Sequence, residues 1–178
     1  MNSFYNQEEL IQLGLKSFGK NVLISRKVSI YGAKNIFIGN NVRIDDFCIL
    51  SGNIKLGSHI HISAYTALYG SMGIVLENYT GLSARCTVYS AVDDFSGNYL
   101  IGPMVNENKT NVTGGEVIIH KYSQVGAGCI IMPNISIEEG VVVGAMSFVN
   151  KSLQSWNIYA GIPAIRIKER SKKLLDII

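Results

Sequence analysis

The chain has three histidines, the side chains best suited to accept and release a proton near neutral pH. His59 and His61 flank Ile60 in the segment LGSHIHISAY. Because successive side chains of a strand point to opposite faces, an inward Ile60 would direct both histidines outward. His61 is therefore a candidate general base, a role that typically contributes about a hundredfold to ten-thousandfold in rate. The structural alternative is that His59, His61 and His120 fill an interface or meet solvent.

A repeat of six residues determines where these side chains lie. Large aliphatic residues occupy every sixth position from Ile119 to Val149, and a smaller series lies two residues before each of them. The same period runs from Ile38 to Leu68, shifts by two residues at YGSMG (69–73) and then resumes. A period of six with two inward residues predicts short strands and turns, three of which close one coil of a parallel β-helix. The fold class is therefore an all-β solenoid.

The period stops over residues 89–116. An insertion of this length in a regular solenoid is most simply a loop that leaves one coil, and long loops are usually functional. Asn6, Glu8 and Glu9 predict the start of a short N-terminal helix, and the mixture of apolar and basic residues over 167–177 predicts a C-terminal amphipathic helix. The predicted single domain, 1–178, comprises a helical cap (1–20), the solenoid (21–88 and 117–150), the loop (89–116) and the C-terminal helix (164–178).

Composition narrows the possible classes of protein. Hydrophobic residues make up 47% of the chain and charged residues 16%, which suits a narrow solenoid core, yet no apolar run approaches the roughly 18 residues that span a bilayer. We therefore expect no membrane insertion, and the first ten residues lack the features of a secretory signal, which favours a cytoplasmic protein. The net charge of +3 is modest and basic residues gather after Lys151, so nucleic acid is not an expected partner.

The three cysteines all fall in the small inward series. There a thiol behaves as a small apolar filler. Their odd number and wide spacing match neither a disulfide framework nor a CxxC metal site, so we expect a reducing compartment and no metal. The cysteines are Cys48, Cys86 and Cys129.

The hexads, the single long loop and a closing AGIPA (160–164) resemble the left-handed β-helix (hexapeptide-repeat) acyltransferases over roughly residues 20–170. Within them the chain is similar to the galactoside, maltose and xenobiotic O-acetyltransferase group and to the small sugar acetyltransferases of surface-polysaccharide biosynthesis. The resemblance implies a left-handed coil, acetyl-CoA (coenzyme A) as donor substrate, and a homotrimer with active sites between subunits.

The resemblance also implies which residues bind the coenzyme. The turns GAGC (126–129) and GAMS (144–147) match the coil turns that meet the pantetheine arm, and later basic residues match those that suit its phosphates. Ordinary turn chemistry and a solvated basic helix are the structural alternatives. The predicted coenzyme-binding residues are Gly126, Ala127, Gly144, Ala145, Asn150, Lys151, Gly161, Pro163, Arg166 and Lys168.

The chain departs from the resembled family where its catalytic histidine would stand, because that place reads SAVDDFSG. Asp93 and Asp94 occupy it instead. We therefore expect His61 to act as general base, with Asp93 or Asp94 of a neighbouring subunit orienting the imidazole or holding the acceptor. An adjacent pair of aspartates in a loop is otherwise ordinary turn chemistry. The predicted acceptor-binding residues are His59, Tyr89 and Tyr99.

The leading functional hypothesis is direct transfer of acetyl from acetyl-CoA to a hydroxyl of a sugar or glycan in bacterial surface-polysaccharide biosynthesis. No cysteine or serine has the context of an activated nucleophile, so no acyl-enzyme is expected. The alternative acceptor is the amine of a nucleotide-linked amino sugar, which needs less help from a base.

Two other classes are weaker candidates. A γ-carbonic-anhydrase-like metal enzyme needs three histidines converging on zinc, and the spacing of the three present is unsuitable. A non-enzymatic solenoid such as an ice-binding protein needs ranks of outward threonines, which are absent from the sequence. The long loop would also have no purpose in such a protein.

Overall fold

The computed structural model describes residues 3–177 as an all-β parallel solenoid of about seven coils. Each coil crosses three faces, which we name A, B and C in chain order, and the corners AB, BC and CA join them. Face A consists of Val22–Ile24, Val42–Ile44, Ile60–Ile62, Gly81–Leu82, Gln124–Val125, Val142–Val143 and Asn157–Ala160. The predicted all-β solenoid is confirmed.

Faces B and C share two long strands, Ile49–Leu56 and Ala67–Leu76, which bend through corner BC. The first half of each strand belongs to face B and the second half to face C. The remaining strands of face B are Ser29–Tyr31, Thr87–Tyr89, Ile130–Ile131 and Phe148–Val149, and those of face C are Ser17–Phe18, Ile36–Ile38, Val117–Ile119 and Ser136–Ile137.

The core is the pair of inward columns that the hexads predict. Ile24, Leu68 and Ile131 of the large series are fully buried, as are Cys48 and Ser123 of the small series. Parallel strands stack one residue directly on its counterpart in the next coil, so each inward column forms a continuous apolar ladder. A solenoid of this kind gains its stability from contacts between neighbouring coils.

The buried cysteines do more than fill space. Cys48 donates to the Ser63 carbonyl one coil further on, with 3.2 Å between sulfur and oxygen. Cys86 donates in the same way to the Gly126 carbonyl at 3.1 Å. Cys129 repeats the arrangement on the Gly144 carbonyl. These hydrogen bonds tie each turn of corner AB to the next, which an apolar filler would not do.

Corner BC is the irregular corner. In the strand Ala67–Leu76 three residues, 71–73, lie opposite Asn53 alone, which confirms the two-residue shift in the repeat. One coil higher the chain leaves at the same corner to form an antiparallel ribbon, Ala91–Asp93 with Val112–Gly114, and a 3-10 helix, Glu107–Lys109.

Ser90 anchors the base of this ribbon, because its buried hydroxyl donates to the Tyr69 carbonyl and accepts from the Met72 N–H. The carbonyl of Ser90 accepts a further hydrogen bond from the Gly115 N–H, where the chain returns. The point of departure is therefore fixed on both sides, and the ribbon projects from a rigid base.

The N-terminal helix spans Gln7–Gln12 and begins at Asn6. The Asn6 side chain accepts from the Glu9 N–H, and the Glu9 carboxylate accepts from the Asn6 N–H, so the helix begins with a capping box. Leu10 is buried against the first coils. A further 3-10 turn, Ala33–Asn35, lies at corner BC.

The prediction of a C-terminal helix over 164–178 is wrong. Ile165–Glu169 is a strand that pairs antiparallel with Asn157–Ala160 of face A, and Lys173–Ile177 is a 3-10 helix. The segment IRIKE alternates apolar and charged residues, a period of two that favours a strand. Residue 178 lies outside the described residues. No helix within residues 3–177 has the length and apolar character to cross a bilayer.

The core columns predict a large difference between buried and loop leucines. Leu68→Ala should lower the free energy of unfolding by about 2–5 kcal/mol, because Leu68 has no exposed surface and its loss leaves a cavity. The matched Leu100→Ala change, at a loop residue that is 55% exposed, should stay within about 0.5 kcal/mol of the parent. Equilibrium urea unfolding measures both, and equal losses would contradict the assignment of the core.

Candidate active site

His61 points outward from face A, as alternation predicts, since it lies between the buried Ile60 and Ile62. Its Nε2 is 2.7 Å from Oδ2 of Asp45 in the preceding coil. The Nε of Arg43 donates to the other oxygen of the same carboxylate at 2.7 Å. The Asp45 carboxylate thus holds the imidazole in a defined orientation and leaves Nδ1 directed away from it.

The pKa of Asp45 responds to these contacts. Partial burial alone would raise it, but the hydrogen bonds from Arg43 and His61 outweigh burial and hold the pKa below the ordinary value for aspartate. The carboxylate therefore stays ionised near neutral pH. This is a histidine–aspartate pair within one chain, and the sequence analysis did not find it.

The two loop aspartates differ in what they contact. Asp94 accepts from the Ser96 N–H and from the Asn111 side chain, and these hydrogen bonds lower its pKa. Asp94 therefore closes the end of the ribbon. Asp93 lies opposite Val112 and is half-buried, and its side chain makes no hydrogen bond or ion pair with any residue between 3 and 177. Both are far around the coil from His61, because the ribbon leaves corner BC and His61 stands on face A.

The other two histidines have separate partners. The His59 ring stacks on Tyr79 at corner CA, with ring centroids 4.5 Å apart. The Nδ1 of His120 is 3.3 Å from the Glu77 carboxylate. The three histidines therefore do not meet, and within the described part of the chain no three His, Cys, Asp or Glu side chains converge as a metal site would require.

The glycines predicted to admit the coenzyme have a structural reason of their own. A Cβ added to Gly126 would lie 2.5 Å from the Ala145 nitrogen in the next coil, and one added to Gly144 would lie 3.0 Å from the Ala160 Cβ. Both glycines are required for close stacking of the turns at corner AB. The side chains that reach the surface there are those of Ala127, Ala145 and Met146, and the Met146 side chain lies against Gly128.

The remaining predicted coenzyme residues are divided among three places. Gly161 joins corner AB, where its N–H donates to the Ser147 hydroxyl, and Pro163 follows in the same turn. Asn150 and Lys151 are exposed at corner BC instead. Arg166 and Lys168 lie on the antiparallel strand beside face A, opposite Tyr159 and Ile158 respectively. Only the residues of corner AB form one surface.

A basic pocket lies beside the last coil, and one predicted coenzyme-binding residue, Arg166, is part of its lining. Its volume is about 310 Å³, and Trp156, Arg166, Arg170 and Lys172 line it with Glu169. Arg170 donates to the carbonyls of two coils and lies over the Trp156 ring. Burial lowers the pKa of its guanidinium. An aromatic ring surrounded by cations has the features that suit a nucleotide phosphate.

The predicted tyrosines lie near the loop. The Tyr89 ring stacks on Tyr69 at the end of face B, with centroids 5.3 Å apart. Tyr99 is exposed in the loop and lines a shallow pocket with Lys109 and Asn108. Neither side chain contacts His61, so any shared role requires a second subunit.

Stacked hexads, a loop at one corner and small exposed turns at another define a class of protein. Residues 116–151 match the bacterial transferase hexapeptide family (six repeats). The chain belongs to the hexapeptide-repeat acyltransferases, because it is 41% identical to the dTDP-4-amino-4,6-dideoxy-D-glucose acyltransferase of Escherichia coli, over 98% of this chain and 93% of that protein. The predicted family is confirmed, and the protein is an acyltransferase.

Two solved structures show how close the likeness is. AntD, an N-acyltransferase from Bacillus cereus solved with dTDP and 3-hydroxybutyryl-CoA, is 55% identical and superposes with a TM-score of 0.97, over 99% of this chain and 95% of that one. A maltose O-acetyltransferase from Clostridium difficile is 21% identical, with a TM-score of 0.59 over 93% of this chain and 75% of that one. The second likeness shows the fold alone.

The Asp45 contacts predict a pH dependence of stability. Because the pKa of Asp45 is lowered on folding, its stabilising contribution is present above the ordinary aspartate pKa of about 3.9 and is lost as pH falls through the lower folded value. Asp45→Asn should therefore lower the Tm at pH 7 and flatten the fall in Tm below about pH 4.

The control is Asp176→Asn, an exposed aspartate that makes no ion pair with the described residues. Its Tm profile should follow the parent across the whole pH range. If Asp45→Asn also followed the parent profile, the carboxylate would not be engaged as described.

Proposed function

We propose that this chain transfers an acyl group from acyl-CoA to the C4 amine of a dTDP-4-amino-4,6-dideoxyhexose. The observation that carries the proposal is the likeness to AntD, which has been solved with dTDP-4-amino-4,6-dideoxyglucose and coenzyme A and is 54% identical over 99% of this chain. This favours the amine acceptor over the hydroxyl acceptor of the leading hypothesis. The relative with bound 3-hydroxybutyryl-CoA also widens the predicted donor from acetyl to acyl.

The chemistry is direct transfer. The amine nitrogen attacks the thioester carbon, and a carbon–nitrogen bond forms. The carbon–sulfur bond then breaks, the nitrogen loses a proton, and the departing thiolate gains one, so that the amide and free coenzyme A are the products. An acyl-cysteine intermediate is disfavoured, because all three cysteines are fully buried and their sulfur atoms are out of reach of an acyl-CoA. The amine therefore reacts without a covalent enzyme intermediate.

Corner AB supplies a surface for the donor. The exposed methyl groups of Ala127 and Ala145 allow a pantetheine arm to approach the backbone closely. The N–H groups of these two residues donate to no other group among residues 3–177, so they are available to the oxyanion of the tetrahedral intermediate. The basic pocket around Trp156 suits the phosphates of the coenzyme.

A homotrimer with active sites between subunits completes the proposal. Face B presents Ile49, Ala67, Thr87, Ile130 and Phe148 outward along one line, which is apolar except at Thr87, and Ile130 is exposed in the single chain. An apolar strip on one side of a solenoid is suited to burial against a second copy. In such an assembly Asp93 of one subunit is free to reach the acceptor held by another.

The acceptor can be tested directly with matched sugars. With 3-hydroxybutyryl-CoA or acetyl-CoA as donor, dTDP-4-amino-4,6-dideoxyglucose should be acylated with at least about a hundredfold higher kcat/KM than dTDP-6-deoxyglucose, which has a hydroxyl at C4. Coenzyme A release gives the rate, and the product mass with its resistance to hydroxylamine identifies an amide. A hydroxylamine-labile ester as the main product would overturn the proposal.

The amine acceptor also predicts a small role for His61 as a base. His61→Ala should lower kcat by less than about tenfold, because a neutral amine is already a nucleophile, whereas a hydroxyl acceptor would lose about a hundredfold to ten-thousandfold. His120→Ala, which removes a histidine held between Glu77 and Glu138, should stay within about twofold. A loss beyond a hundredfold for His61→Ala would restore the histidine as an essential base.

A further inference from the structure

The lower coils of corner AB carry an exposed pair of stacked aromatic rings. The rings of Phe47 and Tyr65 lie 5.0 Å apart at an interplanar angle of 22°. Phe47 is 47% exposed and Tyr65 is 55% exposed. A corner that faces solvent does not need large exposed rings in order to fold.

The two rings occupy a left-handed turn position that recurs at the corners of this solenoid. Phe47 and Tyr65 have φ angles of 60° and 62°, in the left-handed region that bulky residues rarely adopt. The same turn position two coils above Tyr65 is occupied by Gly128, with a φ of 72°. Arg85 occupies the same position one coil above Tyr65, with a φ of 63°, so this turn position accepts side chains as well as glycine.

Cations lie at both ends of the pair. The Lys27 ammonium is 5.1 Å from the Phe47 ring centroid, and the Arg85 guanidinium is 5.8 Å from the Tyr65 ring centroid. Lys27 is also paired with Asp46. Arg85 makes no ion pair with any carboxylate in the described part of the chain, so its planar fork is available to an anion.

The position of the pair relates it to the donor surface. Turn hydrogen bonds run from the Arg85 N–H to the Ala64 carbonyl and from the Gly128 N–H to the Ala84 carbonyl, so these turns stack in one column that continues to Ala127. From Phe47 to Ala127 is three coils, roughly 14 Å at the usual strand spacing. An extended nucleoside diphosphate sugar can cover that span, with its sugar at the upper end.

Corner CA differs from corner AB in the residues at the ends of its aromatic stack. Corner CA also carries a stack, Tyr79 on His59 and Tyr122, but Asn41 lies at its lower end, and at its upper end Arg170 is engaged with backbone carbonyls. Aromatic stacking alone is therefore a general feature of the solenoid. Among the stacks of residues 3–177, only the one at corner AB ends at an arginine whose guanidinium makes no hydrogen bond or ion pair, and only this one leads to the small turns.

We propose that Phe47, Tyr65 and Arg85 form the subsite for the nucleotide of the acceptor, with the base on the exposed rings and the diphosphate on Arg85. The inference rests on the proposed function and extends it by assigning residues to the acceptor. In this arrangement the nucleotide lies along the lower coils of corner AB and the coenzyme along the upper coils. The amine and the thioester then meet between Arg85 and Ala127.

The test is equilibrium binding of dTDP, measured by calorimetry in the absence of acyl-CoA. Tyr65→Leu and Arg85→Gln should each weaken dTDP binding by about tenfold or more. Binding of acyl-CoA and the Tm should stay at parent values in both. The matched control Tyr79→Leu removes an aromatic from the left-handed position of corner CA and should leave dTDP binding unchanged.

Ala127→Leu gives the reciprocal result, because a larger side chain on the donor surface should weaken acyl-CoA binding by about tenfold and leave dTDP binding at the parent value. The rival site is a groove of about 390 Å³ on face C, lined by Lys16, Lys34, Lys55 and Phe37. Loss of dTDP binding in Phe37→Leu, with Tyr65→Leu unaffected, would overturn the subsite.

The proposed subsite and the proposed function would be contradicted by different results. If the parent protein acylates the dTDP amino sugar but Tyr65→Leu and Arg85→Gln bind dTDP as tightly as the parent, the subsite is wrong and the proposed function stands. If the parent protein binds no dTDP at all, the proposed function itself is wrong for this acceptor.

Discussion

The structure depends on one constraint, which is that every coil must lie in register on the coil before it. Parallel ladders join residues such as Val42 and Ile60 directly, and the inward columns are continuous only when this register holds. The turns obey the same constraint, since Gly126 has no room for a side chain beneath Ala145. A side chain at one turn position therefore lies next to the side chain at the same position of the next coil. Residues that act together are consequently arranged in columns along the corners.

The three corners have different characters for this reason. Corner CA carries aromatic rings and ends at a basic pocket. Corner BC tolerates insertions and releases the ribbon that carries Asp93. Corner AB carries cations and exposed rings in its lower coils and exposed alanines in its upper coils, with His61 and Asp45 on its flank. A transferase needs to hold two extended substrates end to end, and a column of this length serves that purpose.

Much of the core was predictable from the sequence because hexad burial is periodic and local. The outward direction of His61 followed from Ile60 and Ile62 in the same way. Its partner Asp45 lies 16 residues earlier, in the preceding coil. The residue in register with His61 one coil earlier is Arg43, so a search at exact coil spacing would not have found Asp45. Phe47 and Tyr65 also adjoin only after the coils are aligned.

Other features could not be obtained from periodicity. The ribbon has no repeat, so the different contacts of Asp93 and Asp94 depend on Ser96 and Asn111 across the loop. The C-terminal strand carried an alternating signal in IRIKE that a count of apolar residues over a longer window obscured. The acceptor depends on the chemistry of a small molecule, and contacts between copies depend on surfaces that the repeat does not constrain.

The most direct measurement is the crystal structure of the protein with dTDP-4-amino-4,6-dideoxyglucose and coenzyme A bound together. The account predicts that both ligands lie along corner AB, with the thymine base on Tyr65, the diphosphate on Arg85, and the amine and the sulfur facing each other beside Ala127. A nucleotide bound in the groove of Lys55 and Phe37, or coenzyme A bound away from Ala127 and Ala145, would contradict it.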